Sequence, residues 1–419
     1  MKQKNNLILD EIVVRKNLVI YKYSCSAGIS EYFTTNEMFV EYDRDVSDIP
    51  ASILAIPFVG SFIALTWLTD TVFWVTELDE TFYQSLKELK VAYQELYSHY
   101  KMGGRFVSAK IVKNRYEAIQ NKDILLFSGG VDAMTSYLRN LDKDLLLCNV
   151  QGWFKDENGT DVVADKEFKL VREFGCEHDR SVVFIKSNFA TIINEHAFHK
   201  GIGRIIGDSW WHGFSHSMSF ISISIPMAYR NNCMEILIAS SFTIGDSRVC
   251  ASYATTDIEF KFCSYGKTVH DGFELSRQDK LKAVVDYQRS MNKPFPLKVC
   301  SFNEDNCCHC EKCFRTIAGI IAEGGDPKNF GFNIKGKIRD YFIDYFTHNM
   351  QFFGIKNESI SHWPHIKKRI ISNMDNVIYK DFAEWFLSYD FVTARKVALR
   401  KYYCRNFFSI LKRKFWIWL

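Results

Sequence analysis

The sequence predicts an α/β protein that contains a doubly wound parallel sheet. Two observations support this fold class: short apolar runs alternate with stretches of helical length, and a glycine pair directly follows one of those runs. Five cysteines are also concentrated between Cys300 and Cys313. A chain of 419 residues is too long for one ordinary core, so we expect two or three domains.

The apolar runs that define the sheet are rich in Leu, Val and Ile and lack strict polar alternation. Such strands are typical of a parallel sheet covered on both faces, and ligands bind beyond the carboxyl ends of its strands. The four runs are residues 124–127, 145–150, 181–185 and 235–239.

The chain is predicted to have three domains. Residues 1–118 form an N-terminal α+β accessory domain, because early segments favour strands and residues 81–100 have the spacing of an amphipathic helix. Residues 119–335 form the parallel-sheet domain, which includes the cysteine segment 300–313. Residues 336–419 form a helical, basic C-terminal region.

Segment Ala51–Leu68 has no charged residue and is just long enough to be considered a membrane span. Pro57 and Gly60 interrupt it, and Asp70 follows it closely. We therefore predict a buried segment of a globular core, with a membrane span as the alternative.

Composition favours a cytoplasmic protein. The formal net charge of +4, from 53 basic and 49 acidic side chains, is too balanced to indicate nucleic-acid binding by itself. The first residues lack the long apolar stretch of a signal peptide, and clustered cysteines in a large chain indicate metal-holding thiolates in a reducing compartment.

The C-terminal tail, residues 395–419, interleaves basic and aromatic side chains. We predict a helix whose aromatic face packs on the domain, with peripheral contact to an anionic membrane or to nucleic acid as alternatives. The sequence is compatible with a homo-oligomer and does not set the oligomeric state.

A candidate phosphate-binding loop follows the apolar run 124–127. Paired glycines between a strand and a helix allow unusual backbone dihedrals, and the helix N-terminus presents free N–H groups to an anion. Hydroxyl groups can add donors, and Asp132 can fix the loop or help to hold Mg²⁺. The candidate residues are Ser128, Gly129, Gly130, Val131, Asp132, Thr135 and Ser136.

This loop lacks the Gly-Lys-Ser/Thr of a P-loop and the third glycine of a dinucleotide fingerprint. It closely resembles the SGGxDS loop of the N-type ATP pyrophosphatases. The last serine of that motif is Ala133 here, which removes one hydroxyl from the phosphate cradle; Thr135 and Ser136 are candidates to compensate for it.

The cysteine segment predicts a metal site. Two-residue gaps let a tight turn direct Cys307, Cys310 and Cys313 at one centre, and Cys300 can complete a tetrahedron. Four thiolates leave no open coordination position, so we interpret the site as structural zinc. Cys308 or His309 replacing one ligand, and an iron–sulfur cluster, are the alternatives.

The same cysteine spacing, followed by a nearby arginine, resembles the zinc motif of the 7-cyano-7-deazaguanine synthase branch of that superfamily. Together the two motifs give a resemblance over residues 120–325. It implies an adenine nucleotide alpha hydrolase-like, Rossmann-like domain that uses ATP, Mg²⁺ and Zn²⁺. The flanking residues have no counterpart in a compact synthase, so the substrate stays open.

Weaker candidates lie between the two motifs. Ser240 and Ser241 follow the run 235–239 and would line a crevice at the strand ends. Positive side chains could neutralise charge on the α-phosphate and on the leaving pyrophosphate; we assign catalytic roles to Arg248 and Lys267, together with Ser128 and Asp132. The other candidates are His212, Ser252, Asp257, His270, Arg277 and Lys280.

The resulting hypothesis is an ATP-dependent ligase that forms a C–N bond. A carboxylate or related group is adenylated with release of pyrophosphate, and ammonia or an amine then displaces AMP. One alternative is a thiolation enzyme acting on tRNA or a small molecule with a sulfur donor such as Cys250 or Cys263. Another is a non-catalytic, nucleotide-binding zinc module in a glycan or defence pathway.

Overall fold

The computed structural model describes residues 5–152, 164–246, 248–300, 305–348 and 357–415. The chain divides into two compact units, residues 1–275 and 276–419. The first unit contains an eleven-stranded, mostly parallel sheet, and the second contains the four-cysteine cluster and the helical C-terminal region.

The strands of the first unit are β1 (Asn6–Arg15), β2 (Leu18–Cys25), β3 (Glu37–Tyr42), β4 (Val72–Asp79), β5 (Arg105–Val112), β6 (Ile119–Leu126), β7 (Asp144–Gln151), β8 (Val182–Ser187), β9 (Cys233–Ala239), β10 (Lys261–Phe262) and β11 (Gly266–Asp271). Their order across the sheet is β10-β11-β9-β6-β7-β8-β3-β2-β1-β4-β5.

The four predicted apolar runs form neighbouring parallel strands, which confirms that part of the predicted fold. β9, β6, β7 and β8 are paired in parallel in that order, and β7 is buried from Leu145 to Gln151, as expected for a sheet covered on both faces. The chain leaves β6 toward β7 and later returns to the other side of β6 as β9. A topological switch point therefore lies between β6 and β9.

The N-terminal strands continue this sheet. β3 pairs antiparallel with β8, with Val40 opposite Ser187, and β2, β1, β4 and β5 extend the sheet from there. Residues 1–118 thus share one sheet and one hydrophobic core with the parallel block. The compact units divide at residue 275, and the predicted boundaries at 118 and 335 stay a prediction.

Segment Ala51–Leu68 forms two successive helices, Ala51–Leu54 and Ile56–Leu68. Among the described residues it is the one stretch long and apolar enough to cross a membrane, and 94% of it is buried inside the fold. A core helix passes the same test of length and composition. All thirteen residues of Ile56–Leu68 are buried, as predicted for a core segment.

Helix Ile56–Leu68 packs closely against helix His216–Arg230. A Cβ at Gly60 would lie 2.4 Å from the Cβ of Ser222, so the two backbones approach at a point that only glycine permits. The longer helices of the first unit are Ile56–Leu68, Glu80–Leu96, Val131–Arg139, Ala164–Glu177 and His216–Arg230. Shorter ones are Ala27–Ser30, Ala51–Leu54, Phe189–Ile192, Glu195–Phe198, Arg204–Ile206 and Ala254–Asp257, with π-helical turns at His199–Gly203 and Trp211–Ser215.

The described part of the second unit is helical, with an aromatic core that includes Phe342, Phe346, Trp363 and Phe386. Its helices are Arg277–Met291, Glu311–Ala322, Ile338–His348, Asn357–Ser372, Lys380–Ser388 and Phe391–Phe415, with 3-10 turns at Pro327–Phe330 and Met374–Asn376. The basic tail begins within the last helix, and residues 416–419 lie outside the described residues. Membrane contact by this tail stays a prediction.

Candidate nucleotide site and four-cysteine cluster

The predicted phosphate loop leaves the carboxyl end of β6. The Phe127 N–H donates to the Cys148 carbonyl at 2.8 Å, so the chain stays hydrogen-bonded to β7 up to the residue before Ser128. Gly129 then adopts φ +72°, a left-handed value that suits glycine, and Gly130 caps helix Val131–Arg139 with an extended backbone. This local path turns the helix N-terminus toward the strand ends.

The loop borders a cavity of about 230 Å³ at the switch point. Residues from the ends of β6, β7 and β9 line it, together with the first turn of helix Val131–Arg139 and two residues of helix His216–Arg230. The lining residues are Leu126, Phe127, Ser128, Gly130, Asp132, Ala133, Cys148, Asn149, Val150, His216, Phe220, Ile238, Ala239, Ser241 and Ser252. The sheet therefore places its crevice where a doubly wound fold binds ligands.

The predicted residues Ser128, Gly130, Asp132 and Ser241 meet at this cavity. Gly129 lies between two lining residues, and Val131 is buried at the start of the helix. The loop and the end of β9 are far apart in sequence, yet the strand order joins them on one wall.

Thr135 and Ser136 do not line the cavity. Both are buried in helix Val131–Arg139, and the Thr135 hydroxyl donates to the Val131 carbonyl at 2.8 Å. Ala133 does line the cavity, at the position where the motif normally has a serine. The cavity wall therefore lacks that hydroxyl, and neither Thr135 nor Ser136 replaces it there.

Ser240 and Arg248 take part in the turn after β9. The Ser240 hydroxyl donates to the Phe242 carbonyl at 2.8 Å, and Ser240 is fully buried. The Arg248 guanidinium pairs with Asp246, with Nε 2.9 Å from Oδ1, and lies 4.6 Å from the centre of the Phe242 ring. Both residues shape the turn that carries Ser241 and are outside the cavity lining.

Lys267 lies at the opposite end of the strands. It is the second residue of β11, and its Nζ is 3.0 Å from an oxygen of Glu235, near the start of β9. Lys143 joins this network at 3.0 Å from Glu235 and 2.7 Å from Asp123. Lys267 and Glu235 lie near the amino ends of the parallel strands β11 and β9, away from the cavity, and we leave Lys267 out of the candidate site.

The pKa values of the two carboxylates in this network are shifted in opposite directions. Burial raises the pKa of Asp123, whose side chain is 2% exposed, despite its hydrogen bond from Lys143. Burial alone would raise the pKa of Glu235, but hydrogen bonds from Lys143 and Lys267 outweigh that effect and lower it. The network anchors the three strands at the end away from the cavity.

His216 is a cavity residue that the sequence analysis did not identify. Its Nδ1 is 3.0 Å from the Trp211 carbonyl, which can only accept, so Nδ1 carries the hydrogen and the neutral ring keeps its lone pair on Nε2. Burial lowers the pKa of His216, although Asp257 and Asp208 act against that effect. The sequence signal was weak, because His216 simply begins a long apolar helix.

Three of the weaker sequence candidates form one hydrogen-bonded group beside the cavity. The Ser252 hydroxyl donates to Asp257 Oδ2 at 2.9 Å, and the same oxygen accepts from His270 Nδ1 at 2.8 Å. The side chains of Asp257 and His270 are 0% and 2% exposed. Asp257 Oδ1 and His270 Nε2 are buried with no hydrogen-bond partner among the described residues.

His212 lies outside the cavity lining and is half exposed. Its Nδ1 is 2.9 Å from Asp208 Oδ1, and the other Asp208 oxygen accepts from the Tyr97 hydroxyl at 2.8 Å. Burial alone would raise the pKa of Asp208, but hydrogen bonds from His212 and Tyr97 outweigh that effect and lower it. The His212 carbonyl accepts from the Ala251 N–H at 2.8 Å, which ties this turn to the Ser252 segment.

In the second unit, Cys300, Cys307, Cys310 and Cys313 form one cluster whose sulfur atoms all lie within 4.8 Å of one another. Cys313 Sγ is 3.5 Å from Cys310 and 3.9 Å from Cys307, which is far beyond a disulfide bond. Four sulfurs bound to one zinc at 2.3 Å would be about 3.8 Å apart, so the donor set fits that ion.

The local structure supports a metal at this position. Cys310 caps helix Glu311–Ala322, where the helix dipole favours a thiolate, and the His309 N–H donates to Cys307 Sγ at 3.3 Å. The hydrogen bond between Cys310 and Cys313 lowers the pKa of Cys310 to about 5 and raises that of Cys313. The thiolate of the metal-free cluster is therefore centred on Cys310.

Cys308 and His309 are outside the cluster. The Cys308 thiol donates to the Asn306 carbonyl at 3.4 Å, and the His309 side chain is exposed. The structure thus groups the four cysteines that the sequence selected, while Arg277 and Lys280 lie on helix Arg277–Met291 of the same unit.

Comparison of this chain with protein-family models, with curated proteins and with solved structures gives no match. Its function has to be inferred from its own residues.

Proposed function

We propose that this protein is an ATP-dependent adenylating enzyme of the ATP pyrophosphatase type, resembling the 7-cyano-7-deazaguanine synthase branch, that forms a C–N bond. The observation that carries this proposal is the meeting of Ser128, Gly130, Asp132 and Ser241 around one cavity at the switch point of the sheet. The backbone N–H groups at the start of helix Val131–Arg139 point in the direction that suits a pyrophosphate.

The reaction has two steps. A carboxylate oxygen attacks the α-phosphorus of ATP, the bond to the bridging oxygen breaks, and pyrophosphate leaves toward the loop. An amine nitrogen then attacks the acyl carbon, and the C–O bond to AMP breaks. Asp132, in the first helical turn and partly buried, is the carboxylate that would hold Mg²⁺ beside the phosphates.

The thiols near the site favour a nitrogen donor over a sulfur donor. Burial raises the pKa of Cys148, the cysteine of the cavity wall, to about 12, and raises that of Cys250 to about 12. Burial also raises the pKa of Cys263. Neutral buried thiols are poor nucleophiles, so none of these three is suited to carry a persulfide.

The four-cysteine cluster fits a structural zinc ion. Four thiolates fill its coordination sphere, which leaves no position for a catalytic water. The proposed role is to fix the segment before helix Glu311–Ala322, nine of whose residues are buried.

The test measures AMP and pyrophosphate released from ATP and Mg²⁺ over a panel of carboxylic acids, with ammonium present. We expect equimolar release with at least one acid and a rate reduced roughly 100-fold by Asp132→Asn. Asp142→Asn, an exposed carboxylate just beyond the same helix, is the matched control. Equal rates from the Asp132 variant and the wild type would remove the proposed site.

A second candidate function is nucleotide binding without turnover. Ala133 favours it, because the cavity wall lacks the hydroxyl that the motif normally supplies. This alternative predicts saturable MgATP binding by calorimetry with no AMP released in the presence of any acid or amine. Release of AMP above the Asp132→Asn background would exclude it.

A further inference from the structure

Two side chains on the wall of the cavity offer it hydrogen-bond acceptors. The Ser252 hydroxyl gives its hydrogen to Asp257 at 2.9 Å, and His216 Nδ1 gives its hydrogen to the Trp211 carbonyl at 3.0 Å. With those hydrogens committed, the Ser252 oxygen and His216 Nε2 can offer the cavity only lone pairs.

The surrounding structure holds both groups in this state. Asp257 is fully buried and also accepts from His270 at 2.8 Å, so Ser252 and His270 both donate to the same carboxylate oxygen. The hydrogen bond from the Ala251 N–H to the His212 carbonyl joins the Ser252 segment to the turn before His216. A backbone hydrogen bond therefore joins the two segments that carry the acceptors.

Asn149, another polar side chain of the cavity wall, does not duplicate them. Its amide nitrogen donates to the Phe127 carbonyl at 2.8 Å, and its oxygen accepts from Gln151 at 2.8 Å. The Asn149 side chain is thus already engaged with protein groups on both of its polar atoms. Ser252 and His216 are two acceptors set apart from the phosphate loop, while the Ser241 hydroxyl, at the end of β9, lines the cavity as a group that can donate as well as accept.

We propose that Ser252 and His216 form the subsite for the nitrogen nucleophile, and that this nucleophile is ammonia or a primary amine. A primary amine keeps two N–H groups, one for each acceptor, whereas an alcohol or a thiol has one hydrogen. This inference rests on the proposed function. It adds the residues that receive the nucleophile.

The proton balance of the second step assigns a role to each residue. When the amine nitrogen bonds to the acyl carbon and AMP leaves, the nitrogen must lose one proton. His216 Nε2 takes that proton, and the Ser252 oxygen accepts the N–H that the amide retains. His216 would be a catalytic residue, while Asp257 and His270 are positioning residues that orient Ser252.

The direct test uses hydroxylamine, an amine that is largely neutral at mildly alkaline pH. Its binding is followed by the ¹⁵N shift of His216 in the full chain, with His216→Gln used to assign the signal. N,N-dimethylhydroxylamine lacks N–H donors and is the matched probe. We expect a saturable shift with hydroxylamine alone and roughly tenfold weaker binding in Ser252→Ala.

Ser85→Ala, which removes a buried hydroxyl bonded within helix Glu80–Leu96, is the control variant and should bind hydroxylamine like the wild type. Equal shifts with both probes, or unchanged binding in Ser252→Ala, would overturn the amine subsite.

The adenine amino group carries the same N–H chemistry. If Ser252→Ala weakens MgATP but not Mg-purine riboside triphosphate, the pair binds adenine and the amine assignment is wrong.

The AMP assay separates this inference from the activating function. Hydroxylamine binding without AMP release from any acid would support the amine subsite and contradict adenylation. AMP release without hydroxylamine binding would support adenylation and contradict the amine subsite.

Discussion

Replacing Cys313 by serine tests the four-cysteine cluster most directly. Cys313 is fully buried, and its sulfur contacts those of Cys310 and Cys307 at 3.5 and 3.9 Å. The substitution keeps nearly the same volume and removes one of four thiolate donors. We expect loss of stoichiometric zinc.

The size of the effect follows from the number of ligands. Structural zinc sites contribute about 10–16 kcal/mol, which shared over four thiolates gives about 3–4 kcal/mol for one. That corresponds to zinc affinity weakened roughly 100- to 1,000-fold. A unit of this size changes its melting temperature by about 2–4 °C per kcal/mol, so the second unit should melt roughly 10 °C lower.

The assay combines metal analysis of the purified protein with thermal unfolding, with and without a chelator. Cys308→Ser is the control, because Cys308 is buried close by but bonds to the Asn306 carbonyl instead of joining the cluster. One equivalent of zinc retained by Cys313→Ser, or zinc lost equally from the Cys308 variant, would refute the assigned ligand set. Iron with visible absorbance would identify an iron–sulfur cluster instead.

Three further outcomes are expected. Gly129→Ala places a side chain at φ +72°, which costs about 1–2 kcal/mol in the loop and should weaken MgATP binding roughly tenfold by calorimetry. Lys143→Met leaves the buried Asp123 carboxylate without its ion pair and should lower the free energy of unfolding in urea by about 3 kcal/mol. Burial lowers the pKa of His216 below the usual 6.5, so the unfolded chain binds more protons there; stability should fall as pH drops below 6.5, and less so in His216→Gln.

The sequence predicted the features that depend on local residues. The runs 124–127 and 235–239 lie in strands, and Ser128, Gly130 and Asp132 occupy a strand-to-helix turn. The four cysteines also cluster as the spacing predicted. Each of these depends on neighbours within a few residues, where strand and turn preferences act.

The rest depends on contacts between residues distant in sequence. Lys267 follows a plausible strand, but only the sheet order shows that it lies at the amino ends, away from the loop. His216 looks like part of an apolar helix until the Trp211 carbonyl fixes its proton. Ser252, Asp257 and His270 are weak candidates in the sequence, and only the fold shows that Ser252 and His270 both donate to Asp257.

The N-terminal region belongs to the architecture of the cavity. His216 begins helix His216–Arg230, whose position is set by the close approach of Gly60 to Ser222 and by the Tyr42 hydroxyl, which donates to the Ile223 carbonyl at 3.2 Å. Those contacts come from residues before 118, and the packed core transmits their placement to the cavity wall. The N-terminal strands and the core helix therefore help to set the position of the helix that carries His216 at the cavity wall.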